Sequence, residues 1–192
     1  LALARPASID RLRADDAPVA LQAAGIVGFA ALTALFAQAE LRIYLWEVPL
    51  TLQTLAVYSS GLFLGRRNGA LAMGLYLLAG LALPIYSDGG SGLAHLMGLT
   101  GGYLVGFPVA AFLAGALTRQ GRSLSRIALG LVAASVALFS CGVMGLVLAT
   151  DLGLAEAVQN GWLRFIPWDL TKLALVGALY AGARRATAED AA

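Results

Sequence analysis

The apolar stretches 19–39 and 127–148 each run for more than twenty residues without a charged side chain. At 1.5 Å per helical residue, either run crosses the roughly 30 Å of a bilayer's hydrocarbon. A buried core helix in a soluble domain seldom needs such length. The whole chain agrees, because 59% of its 192 residues are hydrophobic and only 12% are charged. That is about half the charge of an ordinary soluble domain. The expected class is an all-α integral membrane protein. Inside hydrocarbon every backbone polar group needs a partner within the protein, and a helix supplies one locally.

Shorter apolar segments at 48–65, 69–83, 103–117 and 167–183 complete a prediction of six transmembrane helices. These form one membrane domain, 19–185, between tails at 1–18 and 186–192. The first tail lacks an apolar stretch of its own and does not read as a cleaved signal peptide. Arg66, Arg67 and Asn68 are expected to form a tight turn, and Pro84 closes the third span. The segment 150–164 reads as a polar connection. With six spans, ten of the 13 Lys and Arg residues fall on the side that holds both termini. The positive-inside rule assigns that side to the cytoplasm. The loop at 40–54, the glycine-rich stretch 87–102 and the start of the last span then share the external side. Tyr44 and Trp46 in the first of these loops suit a membrane interface.

Those three stretches hold most of the chemistry. Asp169 and Lys172 are three residues apart at the start of an apolar helix, so they share a face. Charge inside a spanning segment usually faces protein or a water-filled cavity; the alternatives here are a structural pair and a snorkelling lysine. The stretch 87–102 contains six glycines and reads as irregular backbone, either a flexible loop or a ligand-approaching one. The polar inventory of a site is Asp88, Asp169, Lys172, Gln53, Thr51, Thr100, Tyr103 and the backbone of Gly101 and Gly102. Trp46, Tyr86, Trp162 and Trp168 are candidates for its apolar wall. Lys172 suits a carboxylate, and Asp88 and Asp169 suit N–H donors. Such a pocket suits a small amphiphilic acid. In the first span, Ala30 and Ala34 form a small-xxx-small pair, for which internal packing is the simpler reading and docking of another helix the sharper one.

Several classes are disfavoured. The single cysteine, Cys141, and single histidine, His95, give no Cys or His metal cluster, and no metal site is expected. No nucleophile–base pair with an orienting third group is apparent, so the chain is not read as an enzyme. The glycines lack a Gly-Lys-Ser/Thr ending, so any ATP-driven work would belong to a partner. No cofactor and no nucleic-acid partner are expected.

Five segments together are similar to a known family. They are Val48-Pro49-Leu50-Thr51-Leu52-Gln53-Thr54-Leu55-Ala56-Val57, Gly61-Leu62-Phe63-Leu64-Gly65, Leu83-Pro84-Ile85-Tyr86, Gly98-Leu99-Thr100-Gly101-Gly102-Tyr103-Leu104-Val105-Gly106-Phe107 and Pro167-Trp168-Asp169-Leu170-Thr171-Lys172. In order and spacing they resemble the BioY family, the biotin-specific substrate-binding component (S-component) of energy-coupling factor (ECF) transporters. The resemblance spans roughly 19–185. It implies a six-helix bundle in the bacterial cytoplasmic membrane, with an externally facing biotin site. Asp169, Lys172, Asp88 and the 100–103 segment would lie at the ligand, with the Thr51/Gln53 loop as a lid. Ala30 and Ala34 would contact a transmembrane coupling protein, and paired ATPase subunits would use the ATP. Leu99 stands where the family usually has proline, and Trp168 where it usually has glycine. The alternative class is an autonomous channel or proton-coupled carrier for a small carboxylate. A structural membrane subunit is a third. Self-association is left open.

Overall fold

The computed structural model describes residues 12–13, 17–41, 48–119 and 123–189. It is helical throughout, apart from a two-residue antiparallel pairing of β1 (Glu40–Leu41) with β2 (Leu50–Thr51). The long helices are α1 (Val19–Ala37), α2 (Gln53–Gly80), α4 (Gly101–Leu117), α5 (Leu124–Ala149) and α7 (Ile166–Glu189). Two short ones, α3 (Gly92–Leu96) and α6 (Leu154–Gly161), lie in the connections.

Local chemistry sets the ends. Pro18 precedes α1 and its carbonyl accepts from the amides of Leu21 and Gln22, at 2.9 and 3.1 Å. Proline costs nothing there, because the first helical turn has no acceptor for its amides. Ser123 opens α5, where its hydroxyl accepts from the Arg126 amide.

The second and third predicted spans are the two arms of α2. Gly65 has φ 77° and ψ 177°, a conformation open essentially to glycine alone, and the helix doubles back there. A Cβ on Gly69 would lie 2.9 Å from the Cα of Gly61, so the arms touch closely beside the elbow. Their far ends are joined by Gln53 Nε2, which donates to the Tyr76 hydroxyl at 2.7 Å. The break therefore falls at Gly65, and the expected turn residues 66–68 are already helical. The chain thus passes along the bundle six times. One end, the mouth, gathers residues near 37–41, 48–53, 80–101 and 149–166; the opposite end gathers those near 19, 65–69, 117–119 and 123–124.

α2 packs on α1 and α4, and α4 packs on α5. Tyr58, Tyr76, Tyr86 and Tyr180 are fully buried between them, and each hydroxyl has a partner. That is the condition for burying a phenol. The outer surface stays apolar, with Val27, Leu78, Val105, Leu129 and Leu179 all more than half exposed. In a bilayer these face acyl chains. By length and composition α1 and α5 are apolar enough to cross a membrane, and α4 is a shorter apolar helix.

Three expectations change. The glycine-rich stretch is not simply irregular, because it holds a 3-10 turn at Ser87–Gly89 and the helix α3. The connection at 150–164 contains α6, which turns Ala157 and Gly161 inward. The last span does not end at 183 but stays helical to Glu189, since the residues after it, Ala-rich and without Pro or Gly, favour helix. Ala30 lies in the core and Ala34 is partly buried beside it, while Val27 and Leu35 face outward. Tyr44 and Trp46, expected at the membrane interface, and Arg5, Arg11, Arg42 and Arg122, which enter only the charge count, lie outside the described residues.

Candidate ligand site at the mouth of the bundle

A cavity enclosing about 590 Å³, its opening included, lies at the mouth end. Its floor and walls are apolar: Leu104 and Phe107 from α4, Leu138 and Phe139 from α5, Phe165, and Trp168 on α7. The polar groups are few and placed, as expected for a small-molecule site.

Asp169 is the most buried charge-bearing group described, at 5% exposure. Its carboxylate accepts from the Tyr58 hydroxyl of α2 at 2.8 Å and from the Ser135 hydroxyl of α5. Two hydroxyl donors on two other helices fix the plane of the carboxylate. Each carboxylate oxygen can accept more than one hydrogen bond, so acceptor capacity remains for a donor in the cavity.

Lys172 is rooted one turn further along α7, yet its side chain runs back toward the helix N-terminus, the direction helical side chains take. Its ammonium donates to the Thr51 carbonyl at 2.6 Å and to the Thr54 hydroxyl at 3.0 Å. An ammonium has three N–H groups, and these contacts use two. Asp169 and Lys172 thus line one cavity while bonding to different elements: Asp169 to the bundle interior, Lys172 to the segment that frames the mouth. A site made this way offers an anchored acceptor and a cation at separate points along an apolar wall.

The frame of the mouth is itself wired. The Thr51 hydroxyl donates to Gln53 Oε1 at 2.9 Å, and Tyr76, which receives Gln53 Nε2, passes its own hydrogen to the Ile85 carbonyl at 3.2 Å. Thr51, Gln53, Thr100 and Tyr103 all line the cavity with Asp169 and Lys172. Tyr103 is oriented by donating its hydroxyl to the Gly161 carbonyl on α6.

Other candidates fall elsewhere. Asp88 is exposed in a left-handed conformation (φ 58°), and its neighbour Ser87 lines the cavity instead. Gly101 and Gly102 serve close packing. A Cβ on Gly102 would stand 2.4 Å from the Cys141 carbonyl and 2.8 Å from the Cα of Gly145. Tyr86 is a core residue, its ring against Tyr76 and His95. Trp162 stacks behind Phe139 at 6.1 Å, one layer back from the cavity. His95 lies beside the mouth, with Nε2 3.4 Å from the Thr100 hydroxyl. Burial pushes its imidazole below the ordinary value, and the charge of Asp88 partly offsets this.

Sequence reading missed Tyr58, Ser135 and Thr54. A signal existed for the first, since a tyrosine deep in an apolar span must find an acceptor. Ser135 carries no such signal, because a helical serine can satisfy itself on its own backbone.

Comparison with known proteins matches the BioY family model over residues 10–189. A Pyrococcus horikoshii protein named "Probable biotin transporter BioY" is 38% identical over 147 residues, covering 76% of this chain and 85% of that protein. The Thermotoga maritima protein named biotin transporter BioY is 36% identical over 144 residues, covering 74% and 84%. Among solved structures, the S-component for biotin from an ECF-type ABC transporter superposes with a TM-score of 0.77. That match has 22% identity and covers 85% of this chain and 89% of the other, which establishes a shared fold.

Proposed function

The chain belongs to the BioY family of transport proteins, and on that premise we propose that it binds biotin in the mouth cavity and serves its uptake across the bacterial cytoplasmic membrane. The carrying observation is the pairing, in one apolar cavity, of a carboxylate pre-oriented by Tyr58 and Ser135 with a lysine ammonium that reaches the mouth. Biotin has a cyclic urea with two N–H donors, an apolar fused ring and chain, and a terminal carboxylate. Asp169 accepts from the urea, Lys172 neutralises the carboxylate, and Phe107, Phe139 and Trp168 cover the apolar body. Thr51, Gln53, Thr100 and Tyr103 border the ligand.

The sidedness follows from charge. The basic residues crowd the opposite end of the bundle, so the positive-inside rule turns the mouth outward, with both termini inside. The shared fold with a biotin S-component supports a like role here. In it, a membrane coupling protein and paired ATPases supply the energy that reorients and empties the site. Ala30 and Ala34 of α1 are the contact proposed for the coupling protein, and Ala34 is only partly buried.

Equilibrium biotin binding to the purified chain tests the reading, with Lys172→Ala and Asp169→Asn alongside. Wild type is expected to bind one biotin. Removing one partner of a desolvated charge-assisted contact costs about 2–5 kcal/mol, or roughly 30- to 4,000-fold in affinity. Binding by wild type with neither variant impaired would move the site elsewhere. A folded wild type that binds no biotin would overturn the substrate.

A further inference from the structure

The end of the bundle opposite the mouth holds a second cavity, of about 510 Å³, whose lining is dominated by cations: Arg13, Arg66, Arg67 and Arg119, with Gln22 and Asn68. No acidic residue is among its described lining residues. The Gly65 elbow builds it. By folding α2 back on itself, the elbow puts Arg66 and Arg67 in the first turn of the second arm. There the helix dipole is positive, so two cations stand where the backbone disfavours them. The same turn presents backbone N–H groups without intrahelical acceptors.

Arg13 supplies a third, fixed charge. Its guanidinium is sunk into the bundle, donating to the carbonyls of Leu62 and Gly115 at 2.7 and 3.0 Å and to the hydroxyls of Tyr180 and Thr118 at 2.8 and 2.9 Å. It is held by the protein and cannot swing away. Arg66 and Arg67 differ. Both are exposed, and among the described residues neither side chain makes a hydrogen bond or ion pair. Two unpartnered guanidinium groups, a fixed third charge and a helix N-terminus thus converge on one cavity where the spans end.

We propose that this cavity binds a phosphate group, with Arg66 and Arg67 as its principal ligands. A phosphate offers several oxygens in tetrahedral array, which suits forked guanidinium donors and helix N-terminal amides together. It also reverses the unfavourable match between those arginines and the helix dipole. The cavity lies at the depth where lipid headgroups meet the protein, so an anionic phospholipid headgroup and free inorganic phosphate share the required chemistry. This proposal is independent of what the mouth cavity binds.

The test uses the full chain in nanodiscs of phosphatidylcholine alone or doped with phosphatidylglycerol. The readouts are melting temperature and, by native mass spectrometry, lipid retained. In a separate arm, inorganic phosphate replaces chloride at matched ionic strength over phosphatidylcholine. The variants are Arg66→Gln/Arg67→Gln, the charge-preserving Arg66→Lys/Arg67→Lys, and Arg184→Gln/Arg185→Gln, which removes equal charge from the same end outside the cavity. Phosphatidylglycerol is expected to raise the melting temperature of wild type and of the 184/185 variant. In the 66/67 glutamine variant retention falls about tenfold or more, as for loss of charge-assisted hydrogen bonds. The lysine variant is expected to fall between, and it carries the test if the glutamine variant does not fold. A shift seen only with lipid assigns the headgroup; the same arginine-dependent shift with inorganic phosphate assigns the free anion. Equal effects on all variants, which general attraction to a charged surface would give, overturn the proposal, as does no effect of either anion.

Discussion

Replacing Tyr58 by phenylalanine removes one oxygen and leaves a ring of the same shape in a slot with no solvent exposure. No cavity of consequence opens, so the cost reduces to one hydrogen bond, the 2.8 Å contact to Asp169. Hydrogen bonds to charged groups contribute about 1.5–3 kcal/mol. Asp169 is buried, so water does not readily replace the lost donor, and Ser135 remains as its partner on the other oxygen. The expected destabilisation is therefore about 1.5–3 kcal/mol, or roughly 3–12 °C in melting temperature for a chain of this size. Thermal melting in detergent measures it, and a double-mutant cycle with Asp169→Asn assigns it. The cycle should show strong coupling, because in the asparagine background the tyrosine loses its ionised acceptor. A Tyr58→Phe protein that melts with wild type, or a cycle with no coupling, would refute the claim that Tyr58 orients the carboxylate.

Gly65→Ala forces a Cβ into backbone at φ 77° and ψ 177°; a loss of about 1–3 kcal/mol is expected in thermal melting, and an unchanged midpoint would remove the elbow from the argument for the α2 hairpin. Gly102→Ala drives a methyl into the Cys141 carbonyl and Gly145 backbone and should cost about 1–3 kcal/mol. Gly74→Ala, with nothing within 4 Å, should be neutral or stabilising in the same melt. His95 has its imidazole held below the ordinary value by burial. The unfolded segment then binds the proton more readily, so local stability is full above about pH 6.5 and declines as pH falls through the unfolded toward the folded value. Hydrogen exchange across 92–101, corrected for intrinsic rates, should accelerate at acid pH in wild type, and His95→Gln should flatten that dependence.

The number of passes and most of the residues that gather at the mouth cavity were legible in the sequence for physical reasons. A bilayer permits few architectures, and an acid and a base three residues apart at the head of an apolar helix must share a face. Thus Asp169, Lys172, Thr51, Gln53, Thr100 and Tyr103 could be nominated, and they line one cavity. The glycine-rich stretch was visible as a special segment. Its composition did not reveal that Ser87 would line the cavity while Asp88 stays exposed, because a left-handed residue redirects side chains in a way no pattern encodes.

Relations between helices were another matter. That Tyr58 and Ser135 converge on Asp169 depends on the rotation of α2, α5 and α7 about their axes, and these segments lie 111 and 34 residues apart in the chain. Periodicity does not fix that rotation in a membrane protein, where the lipid-facing side is as apolar as the core and the usual amphipathic signal is lost. For the same reason Ala30 and Ala34 could be read from sequence as either interior or interface; packing buries Ala30 and leaves Ala34 partly buried. The elbow is intermediate: the basic turn announced a reversal near 66–68, but the conformation of Gly65 decided where the helix bends. Sequence alone determined that this chain lives in a bilayer and which residues carry its charge. Tertiary structure decided which of those charges meet, because burial in hydrocarbon leaves the orientation of each helix to side-chain packing and a few hydrogen bonds.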